Sequence, residues 1–172
     1  QGPQPSDPAL LLHTSGTTSR PKCVPLTHRN LSASVRSVVR WYQLTASDST
    51  LVVQPIFHVG GLVTPLLSTL ASGGSCALGV FQAEAFWRWV RLHGVTWFTC
   101  VPSVHRVLLA RAPLDFPAGG APPPRLRFMR SGSAPLGAEV AAAIEAAFGC
   151  PLIEAYGMTE AAQLLCANPL PP

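Results

Sequence analysis

Ala9-Leu10-Leu11-Leu12-His13-Thr14-Ser15-Gly16-Thr17-Thr18-Ser19-Arg20-Pro21-Lys22 joins an apolar run to a loop crowded with hydroxyl groups. The run over 9–14 reads as a strand feeding that loop. Thr14, Ser15, Thr17 and Thr18 surround Gly16, and Arg20 and Lys22 close the segment. Glycine lets the backbone approach a ligand, hydroxyls and N–H groups donate hydrogen bonds, and the cations neutralise charge. Together these suit a polyphosphate. The same residue types are common in plain turns, but this density of hydroxyls ahead of two cations favours phosphate. The segment lacks the Gly-x-x-x-x-Gly-Lys-Ser/Thr frame of the Walker loop.

Downstream, strand-like and helix-like segments alternate. Thr27 or Asn30 can cap a helix to about Tyr42, because Leu31, Val35, Val38, Val39 and Tyr42 share one face. Strands are expected over 50–54, 75–78, 96–101, 126–130 and 152–155. Helices are expected over 62–70, 82–92, 102–111 and 136–148, with a Pro- and Gly-rich connector over 113–124. The implied fold class is α/β: a doubly wound, mostly parallel sheet with flanking helices on both faces. Ligands of such sheets bind at the carboxyl ends of the strands, and each motif here begins at such an end.

Composition narrows the function. The 172 residues are 48% hydrophobic and 12% charged, with 18 prolines and a net charge of +4. That describes a globular chain with one core. The cations are dispersed, with no basic run interleaved with aromatics, so nucleic acid is not an expected partner. No apolar run reaches membrane length. The five cysteines (Cys23, Cys76, Cys100, Cys150, Cys166) are odd in number and contain no Cys-x-x-Cys pair. This argues against zinc and a redox pair and favours a reducing, cytoplasmic compartment, with the peroxisome as the alternative. A start at Gln1 without methionine leads us to expect a piece of a longer protein.

A second motif follows the last expected strand: Glu154-Ala155-Tyr156-Gly157-Met158-Thr159-Glu160. Tyrosine offers a stacking face, glycine a tight turn, threonine a hydroxyl for phosphate and glutamate a ligand for a hard cation such as Mg²⁺. A helix start capped by Thr159 would use the same residues. Two further strings stand out: Ser131-Gly132-Ser133-Ala134-Pro135-Leu136, and Pro55-Ile56-Phe57-His58-Val59-Gly60-Gly61. His13, His28, His93 and His105 read as structural histidines.

These four segments resemble the AMP-forming acyl-CoA synthetases, the adenylate-forming superfamily that includes firefly luciferase. The family loop is Thr-Ser-Gly-Thr-Thr-Gly-x-Pro-Lys-Gly-Val; the chain matches it at Thr14 to Thr18, Pro21, Lys22 and Val24, and departs at Ser19 and Cys23. The family's Tyr-Gly-x-Thr-Glu is matched throughout by Tyr156 to Glu160. The resemblance implies a Pro-rich lead-in over 1–8 and a partial N-terminal AMP-binding domain over 9–172, without the C-terminal domain.

It also implies roles. Thr14, Ser15, Gly16, Thr17, Thr18 and Lys22 would hold the phosphates of ATP. Ser133, Ala134, Glu154, Ala155, Tyr156 and Gly157 would complete the nucleotide site, Tyr156 lying against adenine. Thr159 would meet the α-phosphate, Glu160 would bind Mg²⁺, and His58 would gate the acyl site; these three form the catalytic set. Arg130, Ser131 and Gly132 would join His58 in the substrate pocket. The co-substrates would be ATP, coenzyme A and a small carboxylic acid.

The strings around 13–22, 96–105 and 168–171 look most like the oxalate–CoA ligase branch, near the 4-coumarate–CoA ligase-like enzymes. Oxalate, a small dianion, would need cations and hydroxyls in its pocket. The rival readings are an aromatic or fatty acid–CoA ligase, an adenylation domain of a peptide synthetase, and a non-catalytic nucleotide-binding remnant. Cys23 in place of glycine supports the last of these.

Overall fold

Two antiparallel strands, β1 (Pro8–Thr14) and β2 (Lys22–Thr27), open the protein as a hairpin that sets Thr14 opposite Lys22. The computed structural model describes residues 2–14 and 21–171. The expectation that 9–14 belongs to the parallel sheet is corrected: the hairpin is a separate two-stranded unit. The burial pattern gives the reason. β1 alternates between exposed and half-buried positions, whereas a parallel strand inside an α/β sheet is covered on both faces. Pro25 in β2 has no N–H to donate, which suits a small peripheral sheet.

Helix α1 (His28–Trp41) starts at a capping box. The Thr27 hydroxyl accepts the Asn30 N–H at 3.2 Å, and the Thr27 N–H donates to Asn30 Oδ1 at 3.0 Å. The lead-in docks on this helix start through N–H groups of His28 and Arg29, which donate to the carbonyls of Asp7 and Pro5. After β3 (Ser49–Val52) the helix expected over 62–70 is instead α2 (Val59–Gly61), a π-helical stretch Leu62–Leu67, and α3 (Ser68–Ala71). Pro65 lies inside the π stretch; without an N–H it cannot continue an α-helical ladder.

The remaining order is β4 (Ser75–Leu78), α4 (Phe86–Leu92), β5 (Trp97–Cys100), α5 (Pro102–Asp115), β6 (Phe128–Ser131), α6 (Ala138–Phe148), β7 (Leu152–Met158), a 3₁₀ turn Thr159–Ala161, and β8 (Gln163–Ala167). The sheet order is β4-β3-β5-β6-β7-β8, parallel except for β8, which returns antiparallel to β7. Sequence reading ended β7 at Ala155 and left β8 out. The longer β7 carries Tyr156, Gly157 and Met158 on a strand, and a single 3₁₀ turn over Thr159–Ala161 stands where the alternative reading placed a helix capped by Thr159. No described helix is long and apolar enough to cross a membrane.

Alternation along the buried strands sorts side chains onto two layers. Phe98, Cys100, Met129 and Leu152 face α4, α5 and α6, joining Phe86, Trp87, Val90, Leu108, Ile144 and Phe148. Trp97, Phe128 and Ile153 face α1, joining Val38 and Tyr42. Phe128 lies 5.2 Å from both Tyr42 and Trp97, ring centre to ring centre, in near-parallel stacks. Helices thus cover both faces, as the alternation implied. Burying one such ring contributes about 1.5–3 kcal/mol. The hairpin adds its own cluster, Val24 and Leu26 against Val59, Val63 and Ala162.

The amino ends of three strands are tied at Asp48. Arg127 Nη1 donates to both its carboxylate oxygens at 2.7 Å, and the Thr96 hydroxyl donates to Oδ1 at 2.7 Å. Burial alone would raise the Asp48 pKa. Hydrogen bonds from Thr96, Arg127 and the Thr45 N–H, with the Arg127 charge, outweigh it and hold the carboxyl below the usual carboxylate range. This polar clamp leaves the opposite, carboxyl ends of the strands open.

Candidate functional site

At those open ends the sheet splays into two adjoining cavities, of about 500 and 460 Å³. The first lies over the ends of β6 and β7 and the return strand β8. Ser133, Ala134, Glu154, Ala155, Tyr156 and Gly157 all line it, so six residues expected at one nucleotide share one wall. Tyr156 is 62% exposed, its ring free to take a flat partner. Cys166, its cross-strand neighbour, lines the same space. Glu154 also holds the wall together: its Oε1 accepts the Leu136 N–H at 3.2 Å, and its carbonyl accepts the Asn168 N–H at 3.0 Å.

The second cavity lies over the ends of β3 and β5. His58, Val59, Gly60 and Gly61 form one side, Cys100, Val101 and Val104 another, and Thr159 and Gln163 the floor toward β8. Gly61 is required sterically: a Cβ there would collide with the Pro55 carbonyl. No lysine or arginine lines either cavity among the described residues. Burial pushes the Cys100 thiol well above its ordinary pKa, so it faces the space as a neutral, inert group.

Ser133 and Gly157 belong to both walls. Ser133 has φ +74°, a conformation uncommon for any residue but glycine. Strain of this kind concentrates at ligand sites.

Three of the expected substrate-pocket residues line neither cavity, which is a correction. Arg130 is 2% exposed and turned to the α1 face. Its Nε donates to the Tyr42 hydroxyl and its Nη1 to the Thr99 hydroxyl, each at 3.0 Å. Strand alternation causes this: Arg130 follows Phe128 onto the α1 side. Ser131 is 1% exposed, paired in the sheet beside Cys100. Gly132 makes room for the arginine, since a Cβ there would stand 3.1 Å from Arg130 Nη1. His105 is structural, as expected: buried, with Nε2 3.0 Å from the Arg130 carbonyl oxygen.

Glu160 is exposed beside α1, in a shallower groove with Asn30, Ser34 and Ser37. No group of three or more His, Cys, Asp or Glu residues that could cage a metal exists among the described residues. One exposed carboxylate still fits Mg²⁺, which commonly takes one or two protein carboxylates and completes its shell with phosphate and water. Thr14 and Lys22 stand opposite each other where the chain passes from β1 to β2, and β2 packs against the 3₁₀ turn that carries Thr159 and Glu160. Ser15, Gly16, Thr17 and Thr18 lie outside the described residues.

Sequence reasoning missed Gln54, Gln163, Cys166 and Asn168. The last three sit in or after β8, and only a recognised return strand could have brought them to the site.

Comparison with known proteins agrees with this fold. The AMP-binding enzyme family matches residues 1–172. The chain is 49% identical over 170 residues to the oxalate–CoA ligase of Arabidopsis thaliana, covering 97% of the chain and 32% of that protein. It is 44% identical over 171 residues to the sulfoacetate–CoA ligase of Cupriavidus necator, covering 99% of the chain and 32% of that protein. A malonyl-CoA ligase structure with methylmalonyl-CoA and AMP bound superposes with a TM-score of 0.86 at 33% identity, over 99% of this chain and 36% of that one. The chain therefore spans about a third of the length of these relatives.

Proposed function

The chain belongs to the AMP-binding enzyme family, and we propose that it forms the nucleotide- and acid-binding part of an ATP-dependent, AMP-forming acid–CoA ligase. The observation that carries this reading is the meeting of the two cavities at Ser133 and Gly157. One holds an aromatic face and the other a histidine beside a glycine-rich wall. Two ligands placed in them would touch ends, as adenylation requires.

In this reading adenine lies on Tyr156, and the triphosphate runs toward Thr159 and the hairpin loop. The acid enters the second cavity past His58. Its carboxylate attacks the α-phosphorus, the bond to pyrophosphate breaks, and acyl-AMP remains; the thiol of coenzyme A then displaces AMP. Thr159 donates its hydroxyl to the α-phosphate, and Lys22 neutralises charge at the loop. Glu160 would hold Mg²⁺, which supplies further charge neutralisation on the phosphates. Holding the two reactants end to end provides most of what such a reaction needs from a protein.

The acid is a short one bearing a second polar group, oxalate being the leading candidate. The names of the oxalate–CoA and sulfoacetate–CoA ligase relatives support this. The free thiols fit a reducing compartment such as the cytoplasm. The test is carboxylate-dependent ATP–pyrophosphate exchange by the protein at its full natural length, with oxalate, malonate, sulfoacetate, coumarate and a long-chain fatty acid. Exchange with a short acid is expected. Exchange with coumarate or the fatty acid alone would remove the short-acid assignment. No exchange with any acid would favour a nucleotide-binding protein without turnover.

A further inference from the structure

Among the described residues Arg130 is the one buried lysine or arginine, 2% exposed, and it has no anionic partner. Guanidinium groups keep their charge inside proteins. The described residues include all eight Asp and Glu side chains, and their ion pairs go to Arg111 and Arg127 alone. Arg127 is exposed and still has Asp48; Arg130 meets only neutral groups. A buried charge left uncompensated is strongly destabilising.

The surroundings are rich in donors and short of acceptors. Arg130 Nε donates to the Tyr42 hydroxyl and Nη1 to the Thr99 hydroxyl, while Nη2 is buried without a partner. Tyr42 and Thr99 each accept from the guanidinium, and neither hydroxyl gives its own proton to a described residue. Burial raises the Tyr42 pKa against the opposing charge of Arg130, so the phenol keeps that proton. Trp97, its ring centre 6.3 Å from that of Tyr42, adds a second buried N–H without a partner. Indole and guanidinium can only donate. The group that satisfies such a set accepts several hydrogen bonds and carries negative charge.

We propose that Arg130, Tyr42 and Thr99 hold a small monovalent anion of the halide type between α1 and strands β5 and β6. One guanidinium compensates one negative charge, and a second charge buried there would stay unpaired. The anion neutralises Arg130 and ties Tyr42, the C-cap of α1, to the sheet. The site is separate from both cavities, neither of which Arg130 lines.

The test is thermal unfolding of the protein at full natural length, in sodium chloride against sodium gluconate at equal ionic strength, gluconate being too large to enter. The melting temperature is expected to be higher in chloride. Each tenfold rise in chloride above its dissociation constant should multiply the folded-to-unfolded ratio about tenfold. Arg130→Met, an apolar chain without the charge, is expected to abolish the difference between the salts, and Tyr42→Phe and Thr99→Val to weaken it. Equal melting of the wild type in both salts would overturn the proposal, and so would a chloride effect that Arg130→Met retains. If the variants do not fold, wild-type crystals in sodium bromide decide. An anomalous peak against Arg130 Nη2 supports the site, and a map without one there overturns it.

Discussion

The carbonyl oxygen of Gln163 occupies the space that a Cβ on Gly157 would need. Two backbones meet there because β7 and β8 pair through Gly157↔Leu164 and Met158↔Gln163, with a register shift between Tyr156 and Gly157. Gly157→Ala must part the strands at the junction of both cavities. The expected result is a destabilisation of about 1–3 kcal/mol and loss of AMP binding, read by thermal unfolding and calorimetry. A variant with wild-type melting and affinity would show that β8 does not lie on β7 at this point.

Tyr156 makes a separate case because its ring is largely solvent-facing. Tyr156→Ala is expected to leave the melting temperature unchanged and to weaken AMP binding by about 1–3 kcal/mol, the usual worth of base–aromatic stacking. Tyr156→Phe should keep most of the affinity. Equal affinity for all three would move the adenine elsewhere.

Cys166 reports on the same cavity chemically. Its thiol is exposed opposite Tyr156. Cys100 and Cys150 are buried, and burial pushes the Cys150 thiol up to about 12. Iodoacetamide is expected to modify Cys166 and spare those two, and AMP is expected to slow the modification of Cys166. Mass spectrometry of the alkylated peptides measures both. Modification at an undiminished rate under saturating AMP would place the nucleotide outside this cavity.

Acid should weaken the fold in two steps. Burial holds the His105 pKa below its ordinary value, against the opposing hydrogen bond to the Arg130 carbonyl. The unfolded chain therefore takes up the His105 proton first, near pH ~6.5, and stability is lost as pH falls below that point. Asp48 has a depressed pKa as well, so its contribution is present above about pH 4 and lost as pH falls through its folded value. Denaturant unfolding from pH 8 to 3 should show both slopes. His105→Gln should flatten the upper one and Asp48→Asn the lower one.

Arg130 is expected to behave as a structural residue. Arg130→Ala leaves the buried hydroxyls of Tyr42 and Thr99 without their donor, a loss of about 1–3 kcal/mol per group. The melting temperature should fall, while the KM for the acid in the folded fraction should not change. A selective rise in that KM would return Arg130 to the acid site.

Much of this was legible before any coordinates. The capping pair Thr27 and Asn30 announced α1, and the stretches Leu51-Val52 and Trp97-Phe98 announced buried parallel strands. Tyr156 and Glu154 were expected beside Ser133 and Ala134, and all four line one cavity: the first two lie in β7 and the others just follow β6. The misses share a cause. β2 contains a proline, and β8 follows a turn built on left-handed alanine and glutamine rather than glycine, so neither strand carries the usual punctuation. The orientation of Arg130 depended on which neighbour faced α1, and no local pattern around Arg130 states that. The amide of Gln163 was invisible for the same reason: its partner Thr64 lies 99 residues away.

Ser133 leaves the two cavities without a private boundary. A ligand that settles on one side of that residue changes the wall presented to the other. Affinities measured one at a time would then understate the pair. Whatever factor the nucleotide adds to acid binding, the acid must return to nucleotide binding. The order in which the two arrive would be a matter of concentration, and the shared residue would make each arrival a vote for the other.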